Sequence, residues 1–232
     1  MIFRQLFEPD TSTYTYLLGC ERSRRAVLID PVAGEVGQYI TLLEQLRLRL
    51  IYTMETHVHA DHITGSSLLR EQCGSRSVVH RDAGTLCPDL LVSDGVLLQV
   101  GDIEIIVLHT PGHTQSCVSY LVNDRVFTGD ALLIGGCGRT DFQQGNAGQL
   151  FDSIQQKLFT LPPDTLVFPG HDYQGNTVST IRQEIQKNPR LGAGMERSVF
   201  VDLMNHLDLP LPRHIHAAVP ANMACGDVTD KK

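Results

Sequence analysis

The stretch METHVHADHITG, residues 54–65, sets His57, His59, Asp61 and His62 within six positions. Imidazoles and a carboxylate at that density are the donor set of a metal site. Just before them, LIYTMET (50–56) is an apolar run rich in β-formers and reads as a strand. The cluster therefore occupies the loop where a strand ends. Loops held by a rigid scaffold are where binding and catalytic residues concentrate.

Three later segments repeat the arrangement: TPGHT (110–114), FTGD (127–130) and FPGHD (168–172). They add His113, Asp130 and His171. A single histidine in such a place is as well explained by a structural hydrogen bond. Four strand ends converging on metal-type side chains are not. His80, His109, His206, His214 and His216 lie outside the pattern and read as structural or surface residues, despite the i, i+2 spacing of the last two.

Outward from the cluster, residues 14–20 and 25–31 read as strands. Residues 35–50 carry Val36, Ile40, Leu43, Leu46 and Leu50 at helical spacing. A helix over 66–73 stops at Gly74, and 77–80 is a short strand. Residues 95–130 hold four apolar runs bounded by Gly, Asp or Pro. Helices are expected over 149–159, 177–187 and 199–206, with a strand at TLVFPGHD and an irregular tail. No internal repeat or low-complexity linker interrupts the chain. This order predicts two sheets with helices packed outside them, in one domain spanning 1–232.

Composition narrows the function. The 232 residues are 42% hydrophobic and 19% charged, with 26 acids against 19 bases and a net charge of −7. A chain without a basic stripe gains little from phosphate neutralisation, so nucleic acid is not an expected partner. No apolar run approaches the roughly 18 residues of a membrane span, so no membrane partner is expected. MIFRQLFEPD has neither a long apolar core nor an Arg/Ser-rich leader, which sets the expectation at a cytoplasmic protein. Cysteines at 20, 73, 87, 117, 137 and 225 form no CxxC pair. They read as reduced, mostly buried thiols.

THVHADH together with TPGH, TGD and GHD resembles the metallo-β-lactamase superfamily. The resemblance implies an α/β fold, a four-layer αββα sandwich with the site at the shared edge of its sheets. In the hydrolase branch His57, His59 and His113 would hold one metal, Asp61, His62 and His171 a second, and Asp130 would bridge them. That inventory permits a dinuclear thioesterase of the hydroxyacylglutathione hydrolase (glyoxalase II) type, in which two metals activate a bridging water. Its loop after the aspartate typically reads GCGRxFEG, whereas this chain has GGCGRTDFQQG (135–145). With FPGHDYQG, KNPRL and VPANMACG, that loop resembles the persulfide dioxygenase (sulfur dioxygenase) family of the ethylmalonic-encephalopathy-protein type, over about residues 2–226.

This second resemblance implies one Fe(II) per chain on His57, His113 and Asp130. It implies glutathione persulfide and O2 as substrates, and it is compatible with a homodimer. Asp61, His62 and His171 become catalytic residues that orient ligands or polarise water, as does His59. Arg139 and Tyr173 are the expected contacts to glutathione. Asp30, ending RAVLIDP, is expected to brace the loop or simply to end a strand. Cys137, beside Arg139, reads as a small buried thiol or a thiol facing the pocket. A non-catalytic binding protein of this fold would have lost ligands, and none is lost here.

Overall fold

The computed structural model describes residues 1–192, 194–212 and 214–227. They divide into two units. The first comprises Met1–Val92, Leu98–Glu104 and Leu211–Lys232, and the second Ser93–Leu97 and Ile105–Pro210.

The first unit holds a six-stranded sheet: β1 (Ile2–Glu8), β2 (Thr13–Gly19), β3 (Arg25–Ile29), β4 (Arg49–Met54), β5 (Arg76–His80) and β6 (Leu90–Val92), lying side by side in chain order. The β1–β2–β3 pairings are antiparallel, and β3 through β6 run parallel. Parallel neighbours need a crossover. Helix α1 (Val36–Gln45) supplies it between β3 and β4, and α2 (Ser66–Cys73) between β4 and β5. α1 buries Val36, Tyr39 and Leu43, which join Leu17, Ala26, Leu28 and Leu50 in one apolar cluster. The helix expected over 35–50 is thus shorter. Arg47 turns left-handed at φ 52°, and Leu50 belongs to β4, where its side chain alternates into the same core.

The second sheet runs β12-β11-β10-β9-β8-β7. Its strands are β7 (Leu97–Val100), β8 (Ile103–His109), β9 (Val118–Val122), β10 (Arg125–Gly129), β11 (Leu166–Pro169) and β12 (Ser179–Thr180). β10 and β11 are parallel, while β9 pairs antiparallel with both β8 and β10. β8 shows a period of two: Ile103, Ile105 and Val107 are buried, while Glu104 and Ile106 face outward. Helix α3 (Ala147–Ser153) starts where the Asn146 side chain accepts from the Gln149 amide, and continues through a wide π-type turn over Ile154–Leu158. α4 (Ile181–Lys187) is capped in the same way by Thr180, and α5 (Arg197–Asn205) follows. Leu150, Ile154, Leu158, Ile181 and Phe200 from these helices pack on Val126 and Val167. Cys137 is sealed into that core with its Sγ 3.8 Å from Met204 Sδ, and burial pushes its thiol up to about 11. It is a packing residue and not a thiol facing a pocket.

The tail expected to be irregular contains a helix among its described residues. It forms α6 (Ile215–Met223), with Pro220 inside it, and returns to the first unit. The reading of all six cysteines as thiols is corrected there: Cys87 and Cys225 form a disulfide, with their Cα atoms 6.1 Å apart. Cys20, Cys73, Cys117 and Cys137 form no disulfide. A separation of 138 residues carries no local motif, so spacing could not reveal the pair. Cross-linking a long loop typically contributes ~2–4 kcal/mol, chiefly by restricting the unfolded chain. Reducing the bridge, or replacing Cys87 with Ser, is therefore expected to lower the urea midpoint of the metal-free protein, with a loss of unfolding free energy in that range. An unmoved midpoint would show that the bridge adds nothing.

Candidate metal centre

In the first unit the site grows from the ends of β3 and β4. Asp30 follows β3 with φ 52°, a left-handed conformation that Asp tolerates better than most residues, and its amide bonds to Met54 O at 2.9 Å. Its buried carboxylate accepts from the Thr56 amide and the Thr56 hydroxyl, both at 2.7 Å. Asp30 is therefore the loop brace. Because the one hydroxyl proton of Thr56 goes to Asp30, its oxygen is left to accept from His57 Nδ1, 2.9 Å away. The proton on Nδ1 fixes the tautomer and leaves the Nε2 lone pair of His57 for a metal.

The His59 ring lies between those of His57 and His62, with centroids at 4.2 and 4.3 Å. His59 Nε2 is 3.1 Å from Asp30 and 3.4 Å from Glu55. Burial opposes a charge on this imidazole, yet the Asp30 and Glu55 carboxylates hold its pKa well above the usual range. His62 Nδ1 meets Asp61 at 2.8 Å, and Thr13 Oγ1 donates to the same carboxylate at 3.2 Å. His59 Nδ1 and His62 Nε2 are buried without a hydrogen-bond partner among the described residues. A buried polar atom left so costs about 1–3 kcal/mol, and an ion is one way to satisfy it. His59, Asp61 and His62 offer donor atoms within 4.8 Å of one another.

In the second unit His113 Nδ1 lies 2.7 Å from the carbonyl of Arg139. A carbonyl only accepts, so the proton sits on Nδ1 and Nε2 carries the lone pair. Nε2 is 3.7 Å from Asp130 Oδ2. That is too long for a hydrogen bond. It suits two atoms each ~2.1 Å from a shared ion. The other Asp130 oxygen accepts from His171 Nδ1 at 2.7 Å. The loop after Asp130 holds both groups through its backbone: Gly138 N donates to Asp130 O at 2.8 Å. A Cβ at Gly138 would stand 2.4 Å from that oxygen and 2.8 Å from His113 Nδ1, so only glycine fits.

Arg139 directs its guanidinium at its own unit. Nε and Nη2 donate to Asp141 at 2.6 and 2.5 Å, Nη2 also reaches the carbonyl of Leu209, and Nη1 reaches that of Pro210. Asp141 in turn holds the Arg139 pKa above its ordinary value. Tyr173 is 74% exposed, and its ring stacks on His171 at 6.1 Å. Of the histidines outside the pattern, His80 accepts from the Asp82 amide and His109 contacts Gln115 O. Thr56 and Gly138 escaped sequence reasoning. The Thr before the first histidine and the glycine before Arg139 were the available signals.

These donor sets define the class. The sequence profile described as metallo-beta-lactamase superfamily matches residues 9–171, and the chain belongs to that superfamily, with its αββα fold class. The human protein named persulfide dioxygenase ETHE1, mitochondrial, is 51% identical over 229 residues, covering 97% of this chain and 89% of its own. The crystal structure of ETHE1 from Myxococcus xanthus superposes with a TM-score of 0.95 at 54% identity, covering 97% of this chain and all of that one. The cytoplasmic hydroxyacylglutathione hydrolase of Arabidopsis thaliana is more distant, 32% identical over 85% of this chain and 77% of its own. Within the superfamily the chain belongs with the persulfide dioxygenases.

Proposed function

We propose that this enzyme is an iron-dependent dioxygenase of glutathione persulfide, with one Fe(II) per chain held by His57, His113 and Asp130. The observation that carries the reading is that each of these donors has its own fixing partner. Thr56 and Asp30 fix His57, Arg139 O fixes His113, and His171 fixes Asp130. Two neutral imidazoles and one carboxylate are the donor set of non-haem iron oxygenases, which leaves positions open for substrates. Bound there, iron would supply the redox chemistry that joins O2 to a sulfur atom, which zinc lacks.

The overall reaction is glutathione persulfide + O2 + H2O giving glutathione + sulfite, with both atoms of O2 going to the terminal sulfur. His171 aligns the Asp130 carboxylate and withdraws part of its charge. Asp61 and His62, paired at 2.8 Å, polarise the water that releases sulfite. Arg139 and Tyr173 receive the glutathione moiety, Tyr173 through its exposed phenol and Arg139 through the loop it braces. Residues 1–232 act as one domain, a reading supported by the superfamily match running through both units. Among the described residues no helix is long and apolar enough to cross a membrane. A cytoplasmic setting is part of the proposal, while the human and bovine relatives are named mitochondrial.

One observation favours a second reading. The unpartnered His62 Nε2, beside Asp61, matches donors of a second metal, and the unpartnered His59 Nδ1 would join His57 and His113 on the first. A dinuclear hydroxyacylglutathione hydrolase would use them. Metal analysis of protein purified anaerobically separates the two: about one iron per chain is expected, and two metals per chain would favour the hydrolase.

A further inference from the structure

We infer that Asn222, in the last turn of α6, is a positioning residue for the HVHADH loop. The turn 222–226 is then a clip that holds this loop in its metal-binding shape. The inference rests on the proposed function, in which this loop supplies the metal ligand His57 and the water-polarising pair Asp61 and His62. Asn222 is buried, and its side-chain amide is spent on the loop. Nδ2 donates to His59 O at 2.9 Å and to His62 O at 2.8 Å, while Oδ1 accepts from the Thr64 amide at 2.9 Å. The two carbonyls flank Ala60 and Asp61, so one planar group sets the path of the chain from which Asp61 and His62 project. Buried carbonyls need donors, and 160–163 residues of sequence separate these from theirs.

Neighbouring contacts close the clip independently. The Ser67 amide, in the first turn of α2, donates to Cys225 O at 3.1 Å, and the Leu86 amide donates to Met223 O at 2.9 Å. Cys225 itself is held left-handed at φ 58° and is bonded to Cys87. Gly226, at φ 80°, passes so near the loop that a Cβ would stand 2.2 Å from Thr64 O. The tail thus grips both ends of the segment 59–67 and is fastened to the 84–87 turn on its far side.

Asn is the side chain that serves here, since it brings two N–H donors and one acceptor on a single short stem. Asp keeps the acceptor for Thr64 and turns a negative oxygen toward two carbonyls. Ala loses all three bonds.

The test uses the full chain, stripped of metal and titrated with Co(II), whose absorption reports ligand geometry without any turnover. Asn222→Ala and Asn222→Asp are each expected to weaken Co(II) binding by about 10–100-fold, the range for loss of a partner behind a metal site, and to change the Co(II) spectrum. Variants that bind Co(II) with wild-type affinity and spectrum, even with a lowered Tm, overturn the inference. Wild-type protein that fails to bind Co(II) tightly would instead overturn the reading of the loop as metal-binding. Hydrogen exchange of the wild-type protein tests the clip without any variant. The Thr64 amide is expected to exchange as slowly as amides of β4 and faster once the Cys87–Cys225 bridge is reduced. A freely exchanging Thr64 amide in the oxidised protein overturns the inference.

Discussion

Asp130→Ala is expected to leave the chain unable to retain iron through gel filtration and to abolish persulfide-dependent O2 uptake. His171→Ala is expected to keep most of the iron and to lose part of the activity. The two residues touch at 2.7 Å, so any common effect on packing is shared. They differ in what each would give to the metal. Asp130 faces His113 Nε2 with one oxygen and His171 with the other, which makes it the carboxylate donor of the proposed triad. His171 acts through that carboxylate by orienting it. Losing an outer partner costs roughly 10–100-fold in metal affinity or activity, whereas losing one of three protein donors goes well beyond that. Iron content and kcat measured on both variants check the distinction. Equal loss of metal from both would place His171 on a metal and favour a dinuclear centre.

Gly138→Ala is the second large effect, and it arises with no change in any metal-type side chain. The added methyl would sit 2.4 Å from the Asp130 carbonyl and 2.8 Å from His113 Nδ1, both fixed atoms. The backbone must move, and it carries the Gly138–Asp130 and His113–Arg139 hydrogen bonds with it. Forcing an extra methylene-sized group into such a site costs about 1–3 kcal/mol of stability. Displacing two metal donors at once is expected to cost iron affinity about 100-fold or more, the top of the outer-partner range. Iron titration and thermal unfolding of the same preparation separate these effects. Iron affinity unchanged from wild type would show that the loop does not set the geometry of His113 and Asp130.

Much of the architecture was legible because it follows from periodic patterns. The stop of α2 at Gly74 and the apolar runs of residues 95–130 are local signals, and each appears in the structure close to where it was expected. The helix expected over 35–50 overshot because Leu46 and Leu50 continue the 3.6-residue spacing by coincidence. The left-handed Arg47 breaks it. What escaped reading was long-range. The Cys87–Cys225 bridge, α6 and the Asn222 contacts join segments more than 130 residues apart, and no spacing rule spans that distance.

The candidate site divides along the same line. Its metal-type residues could be named because each ends a strand in a recognisable segment. The groups that fix them could not. The Thr56 hydroxyl, the Arg139 carbonyl and the bare Gly138 carry no chemical label, and their roles follow only from geometry. The seven-residue inventory by itself permits one metal or two, since residue type does not say whether a donor binds an ion or a neighbouring side chain.

The most direct test of the account is O2 consumption by the iron-loaded enzyme, run with glutathione persulfide and, separately, with lactoylglutathione. One O2 is expected to be consumed for each sulfite formed from the persulfide, with no hydrolysis of the thioester. Thioester cleavage without persulfide-dependent O2 uptake would contradict it.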